Sequence, residues 1–140
     1  KMLEEVVASG KAFETFKDMV KAQGGNVDMI ENPELLPQSK FKTEIKSEES
    51  GNVKVLHSER LGVLAMQLGA GRETKEQDVN HAVGLELACK RGDKVNKGDT
   101  ICIVYHDEEL KPQWVDELYH AFELTNEEVA PQPIIEKVLS

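Results

Sequence analysis

Between Leu68 and Gly98 the chain carries glycines at 69, 71, 84, 92 and 98, which set out a glycine turn, a polar loop, an apolar run and a second glycine turn in fixed order. Glycine adopts backbone conformations closed to other residues, so this spacing reads as punctuation between short elements. Upstream of the first turn, Leu61, Leu64, Ala65 and Leu68 repeat at helical spacing until Gly69 and Gly71 break the pattern. Ser58 opens that helix with a side chain able to cap free amides. Downstream, Val83 to Leu87 alternates as a half-buried strand does. Gly92-Asp93 and Lys97-Gly98 then bracket a turn before the apolar stretch Thr100 to Tyr105, which predicts a hairpin.

The flanks follow the same logic. Phe41, Thr43 and Ile45 alternate with Lys42, Glu44 and Lys46, Ser50-Gly51-Asn52 supplies a turn, and Val53 to His57 returns, predicting another hairpin. A helix is expected over Gln113 to Leu124, with Trp114, Leu118 and Phe122 on one face. Thr125-Asn126-Glu127-Glu128 has the spacing of a capping box, although Pro131 and Pro133 leave little helix for it to start. At the other end, Met2, Leu3, Val6 and Val7 are helically spaced from the outset, so Lys1 reads as a cut through an existing helix and the native protein is expected to extend upstream. A second helix runs from about Gly10 to Gln23 with Phe13, Phe16 and Val20 on one face, and Gly24-Gly25 closes it as a left-handed cap would. From Asn26 to Ser39, Asn32-Pro33 and Leu36-Pro37 prevent a continuous helix and favour an extended linker. Strands interleaved with few helices give an α+β class with antiparallel hairpins rather than a doubly wound sheet.

At 140 residues and 39% hydrophobic, the chain suffices for one compact domain with a core and an attached helical piece. Its net charge of −9 argues against a nucleic-acid or anionic-membrane surface, because phosphate binding draws on clustered Lys and Arg. No apolar run approaches the roughly 20 residues that span a bilayer, and no charged-then-apolar leader opens the chain, so a cytoplasmic location is the default expectation.

Few motifs carry chemistry. Cys89 and Cys102 lie in apolar stretches without a CxxC or Cys/His ligand pattern, and read as reduced core residues rather than nucleophiles. His57, His81, His106 and His120 are too scattered for a recognisable metal set, and no metal is expected. His106 reads as a strand-end histidine beside the carboxylates of Asp107-Glu108-Glu109, an acidic run expected to be a solvated turn. Gly69-Ala70-Gly71-Arg72 could cradle a phosphate, but it follows a helix rather than opening one and lacks the Lys-Ser/Thr pair of a P-loop. The structural reading is a helix cap, with Arg72 fixing the loop by a salt bridge. No nucleophile elbow or other local signature singles out a catalytic Ser or Cys.

The residues Leu68, Gly69, Ala70, Gly71, Arg72, Thr74, Lys75 and Glu76, then Ala82, Val83 and Gly84, then Gly92, Asp93, Val95, Lys97 and Gly98 form a signature that resembles the C-terminal domain of pyrimidine-nucleoside phosphorylases, thymidine phosphorylase among them. The resemblance is strongest over 61–105, weaker over 1–25 and weakest over 107–133, and the closing Ile134-Ile135-Glu136-Lys137-Val138 is similar to the family's last segment. It implies a hammerhead, barrel-sandwich-like antiparallel β domain with flanking helices. It also implies a division into 1–25 as the last helices of an upstream catalytic domain, 26–39 as linker and 40–140 as the C-terminal domain. The family moves a pentosyl group reversibly between a pyrimidine base and phosphate without a cofactor, and its phosphate- and base-binding groups lie upstream. The resemblance therefore implies no catalytic, substrate-binding or metal residue in this chain. Support roles fall to Arg72, Thr74 and Lys75, reaching towards the cleft of the upstream domain, with Gly69, Gly71, Gly84, Gly92 and Gly98 shaping the backbone. The implied partners are the upstream domains of its own chain, phosphate and pyrimidine nucleoside bound by the parent, and a second parent subunit. Relatives often carry acids where this chain has Gln77 and Asn80, which would leave this loop looser if those acids pair with Arg72 or Lys75. A second reading is a free-standing binding module related to biotinyl and lipoyl carrier domains. Against it, the similar apolar stretch Ala65-Met66-Gln67-Leu68 contains no lysine, and Lys54 lacks the neighbours that a modified lysine has there. A third is a nucleotide phosphorylase with a similar C-terminal domain.

Overall fold

The computed structural model of the chain describes residues 1–72, 74–130, 133, 135, 137 and 138. It divides into two units, Lys1–Gln38 and Ser39–Ser140.

The first unit holds helices α1 (Met2–Ala8), α2 (Lys11–Ala22) and the single turn α3 (Asp28–Glu31), followed by a 3₁₀ turn at Pro33–Leu35. Gly24 ends α2 at φ +77°, and the Gly25 amide donates to the Val20 carbonyl at 2.9 Å, as the glycine pair predicted. The expected extended linker is corrected to two short helical turns. Asn26 Oδ1 accepts the Asp28 N–H at 2.9 Å and starts α3, while Pro33 takes the first position of its turn, where a missing N–H costs nothing. The prolines thus limit helix length without enforcing extension. No residue of this unit is buried.

The second unit contains β1 (Phe41–Lys46), β2 (Gly51–Leu56), α4 (Ser58–Ala65), β3 (Gly84–Leu87), β4 (Lys94–Val95), β5 (Thr100–His106), α5 (Pro112–His120) and β6 (Phe122–Thr125). They form two antiparallel three-stranded sheets, in the orders β1-β5-β3 and β4-β2-β6. The class is therefore α+β with antiparallel sheets and flanking helices. The apolar strand β5 is central in the first sheet because Ile101, Cys102 and Val104 are all buried. The expected β3–β5 pairing is present, with Leu85 opposite Val104.

The expected β1–β2 hairpin is not. β1 pairs with β5, whereas β2 lies between β4 and β6 in the other sheet. Beyond β1, the Ser47 N–H donates to Asp99 O and its carbonyl accepts from Gly98, which turns the chain away from a tight return. The predicted helix over 113–124 is also shortened. α5 stops at His120, and Phe122 sits opposite Leu56 in β6. Trp114 and Leu118 are buried as expected, but Phe122 reaches the core from a strand, whose alternation over 122–124 also suits a helix face. Thr125 Oγ1 accepts the Glu127 N–H at 3.2 Å, a local turn rather than a capping box. Ser58 is the first residue inside α4 and not its cap, so the predicted side-chain cap is absent there. Ile135, Lys137 and Val138 of the closing segment lie outside any helix or strand, while 134 and 136 fall outside the described residues.

Between the sheets, two tetrapeptide turns repeat one hydrogen-bond pattern. In Lys90-Arg91-Gly92-Asp93 the Asp93 N–H donates to Lys90 O at 3.0 Å and Asp93 Oδ2 accepts the Lys90 N–H at 2.9 Å. In Asn96-Lys97-Gly98-Asp99 the same bonds measure 3.0 and 2.8 Å. Gly92 donates to Val53 O while Val53 N–H donates to Asp93 O, and Gly98 and Asp99 treat Ser47 identically. A left-handed glycine at the third position is what a type II turn requires, and Gly98 supplies it at φ +92°. The core lies in this unit, assembled from Ile45, Val53, Leu61, Leu64, Val95, Val104, Trp114, Leu118 and Phe122 with both cysteines.

Candidate functional site

Leu61 and Leu64 anchor α4 in the core, and the helix then widens into a π-type turn over Met66–Ala70. Gly69 breaks it at φ +106° and ψ 0°, the helix-terminating role its position predicted. A Cβ on Gly71 would meet Met66 side-chain carbons at 3.1 Å, so Gly71 lets the loop fold closely back over the helix end. Thr74 and Gln77 close a turn further along: the Thr74 N–H donates to Gln77 Oε1 at 3.2 Å and the Gln77 N–H to Thr74 O at 3.4 Å. Arg72, Thr74 and Lys75 are all exposed on this excursion.

Asn80 ties the loop down. Its N–H donates to Gly69 O at 2.9 Å, its Oδ1 accepts the Ala82 N–H at 3.0 Å, and its Nδ2 donates to Asp107 Oδ2 at 2.7 Å. Asp107 Oδ1 takes the Lys40 N–H at 2.8 Å. The Lys40 N–H and then the Asn80 amide hold the Asp107 carboxyl below the usual carboxylate range. Next to it, His106 is buried, with Nε2 2.8 Å from Thr43 Oγ1, Nδ1 2.6 Å from Glu108 O and its ring stacked on Phe41. Because a carbonyl can only accept, Nδ1 carries a proton.

These bonds correct two expectations. The loop is tied down by the Asn80 amide on the Asp107 carboxylate, and among the described residues no ion pair includes Arg72 or Lys75, so the expected Arg72 salt bridge is not among them. Asn80 and Gln77 each hold a hydrogen bond where relatives often carry acids. Asp107 belongs to this scaffold and not to a solvated turn, while Glu108 and Glu109 are exposed as predicted. Sequence reasoning missed Asp107 because its partners lie 27 and 67 positions away. The residues assigned support roles do not form one cluster: Gly69 and Gly71 belong to the loop, Gly84 opens β3 opposite Tyr105, and Gly92 and Gly98 sit in the paired turns.

The loop carries charges of both signs, Arg72 and Lys75 beside Glu73, Glu76 and Asp78. The excursion leaves the C-terminal end of α4, where carbonyls rather than N–H groups are free, so the helix offers no anion cradle. Burial pushes the Cys102 thiol up to about 12 and raises Cys89, so both stay protonated and unreactive as nucleophiles. Among the described residues no group of three or more His, Cys, Asp or Glu could hold a metal ion. No helix among them is long and apolar enough to cross a membrane. An open groove of about 940 Å³ between α4 and α5 is bridged by Arg60 and Glu117 at 2.9 Å and floored by Trp114.

Comparison with known proteins places this sequence in a family. The model of the pyrimidine nucleoside phosphorylase C-terminal domain matches residues 52–125, a span running from β2 to the end of β6 and including the whole loop. The chain belongs to this family. Among its relatives, pyrimidine-nucleoside phosphorylase of Bacillus subtilis (strain 168) is 39% identical over 132 residues, covering 94% of this chain and 30% of the relative. The enzymes of the same name from Staphylococcus aureus (strain USA300) and Geobacillus stearothermophilus are each 38% identical, over 99% and 98% of this chain and 32% of their own length. The chain thus spans about a third of the length of the curated relatives it matches.

Proposed function

We propose that this chain is the C-terminal domain of a pyrimidine-nucleoside phosphorylase and forms one wall of a cleft that closes around substrate. In the parent, a pyrimidine nucleoside and phosphate exchange to free base and ribose or deoxyribose 1-phosphate without a cofactor. The observation that carries the reading is the pinned loop: Arg72, Thr74 and Lys75 are held out to solvent by a scaffold fixed at both ends. A charged loop on a pinned base suits a surface that must meet a partner domain in one geometry, since closure excludes water and assembles a site. The chemistry itself needs cations and amides around phosphate and donors on the departing base. We assign those groups to upstream parts of the parent, so the 140-residue chain alone does not turn over nucleoside.

The domain reading has residues 1–25 as the last helices of the catalytic domain, 26–39 as linker and 40–140 as the C-terminal domain. The break at Gln38 and Ser39 supports it. The barrel-sandwich hammerhead architecture draws support from the two three-stranded sheets and the repeated turns over 90–93 and 96–99. The parent is taken to be a cytoplasmic homodimer, paired through its upstream helical domain.

The test is phosphate-dependent release of uracil from uridine and thymine from thymidine, with the full-length parent and this chain side by side. Activity in the parent alone is expected and would show its base and sugar preference. Turnover by the chain itself, surviving controls for host enzyme, would overturn the non-catalytic assignment. Inactivity of both would favour a free-standing module related to the carrier domains.

A further inference from the structure

We infer that Asp107 is a positioning residue that locks the Arg72–Lys75 loop to the point where the chain enters β1, so that loop and entry strand move as one body. The deeper half of the inference, that this lock serves turnover, rests on the function proposed above.

The carboxylate of Asp107 stands at the end of β5 and spends its two oxygens on two different segments: Oδ1 on the Lys40 backbone at 2.8 Å and Oδ2 on Asn80 Nδ2 at 2.7 Å. The segments are otherwise far apart in the chain, and each is secured further on its own side. At the entry, Ser39 Oγ donates to Phe41 O at 2.9 Å and Phe41 stacks on His106 with ring centroids 5.4 Å apart. At the loop, Asn80 reaches back to Gly69 O and forward to the Ala82 N–H. Removing the charge at 107 therefore weakens a group that both sides share. Asn80 cannot compensate by rotating its amide, because its Oδ1 already serves Ala82.

The chemistry allows a reversal that a generic structural role would not. In Asn80→Asp two carboxylates face each other at hydrogen-bond distance and repel. In Asp107→Asn two amide donors face each other. With both substitutions together, the amide introduced at position 107 donates to the carboxylate introduced at position 80, and its carbonyl oxygen still accepts the Lys40 N–H. The carboxylate at position 80 still accepts from Ala82. The bond is rebuilt with donor and acceptor exchanged.

The measurement is backbone hydrogen exchange in the 140-residue chain at neutral pH, for the single variants and the double variant. Each single substitution is expected to speed exchange at Lys40, at position 80 and at Ala82 by about tenfold, the loss of one charge-assisted hydrogen bond, while the β5 amides keep their protection. The double variant is expected to return all three towards their starting rates. Single variants that leave Lys40 and position 80 unchanged, or a double variant in which the two losses add, would overturn the lock. In a full-length parent that is active, phosphorolysis should fall in each single variant and recover in the double one, and unchanged turnover would overturn the positioning role. A parent with no activity at all would count against the proposed function, while the exchange result would stand on its own.

Discussion

Gly98 holds φ +92° with nothing within 4 Å of where a Cβ would stand, so replacing it with alanine probes the backbone alone. Left-handed backbone costs an L-residue about 1–2 kcal/mol, and Gly98→Ala should lower stability by that amount. Gly62 is a control of opposite sign: it lies inside α4, its Cβ position is equally open, and helix propensity favours alanine there by about 0.5–1 kcal/mol. Denaturant midpoints of the two variants should therefore move in opposite directions. Equal shifts would mean that Gly98 is tolerated for reasons other than turn geometry. At this scale the glycine turns were legible because the signal is local: a glycine beside an aspartate whose carboxylate reaches back three residues. Asp107 was not, since nothing in Asp107-Glu108-Glu109 distinguishes the carboxylate that accepts bonds from Lys40 and Asn80 from the two that face water. Arg72 shows the converse, a residue type suggestive of pairing that the structure leaves outside the described ion pairs.

Strand existence and strand partnership separate cleanly in this fold. The alternation of Phe41 to Lys46 marked β1 with its observed bounds, yet its partner is β5 and not the β2 that follows it. Period-two patterning tells which side chains turn inward and says nothing of which edge they join. The same ambiguity lengthened α5, because Phe122 suits both the helical repeat of Trp114 and Leu118 and the alternation of β6. What settles it is backbone pairing, with Leu56 opposite Phe122 and Val53 opposite Leu124. Leu118 is where α5 is most strongly bound to the core, being fully buried, and one turn earlier Trp114 lies on the same face. Leu118→Ala should cost about 2–5 kcal/mol, the loss of transfer energy plus a cavity that rigid sheet neighbours cannot fill. Chemical denaturation followed by Trp114 fluorescence would measure it. A loss below about 1 kcal/mol would mean that α5 collapses into the vacated space, contrary to a packing in which the helix is held at both ends. Those ends are fixed by Pro112 at the first turn and by the Ala121 carbonyl, which accepts the His57 N–H at 2.9 Å.

Across the molecule, the residue signature from Leu68 to Gly98 resembled the family's C-terminal domain, and the family match over residues 52–125 bears that resemblance out. How the strands divide between two sheets was not legible, because it depends on contacts between distant segments. The distribution of burial leads to a further expectation about the units. Every residue of the core cluster lies between Ile45 and Phe122, and none of the residues before Ser39 is buried. Met2, Leu3 and Val7 are 77, 81 and 70% exposed, so α1 and α2 bury too little apolar surface to stabilise themselves, and helices this short are marginal in water. A chain of residues 39–140 should therefore keep the cooperative unfolding of the whole, with its midpoint displaced by less than about 4 °C, the shift that about 1 kcal/mol produces in a domain of this size. Trp114, the single tryptophan and 8% exposed, reports the transition in both chains. Residues 1–38 alone should show little helical circular dichroism. A large drop in midpoint, or loss of cooperativity on truncation, would mean that the core over 45–122 depends on the first unit for its stability. An unchanged midpoint would mean that those helices contribute nothing to the stability of this core, as the proposed division of the parent expects.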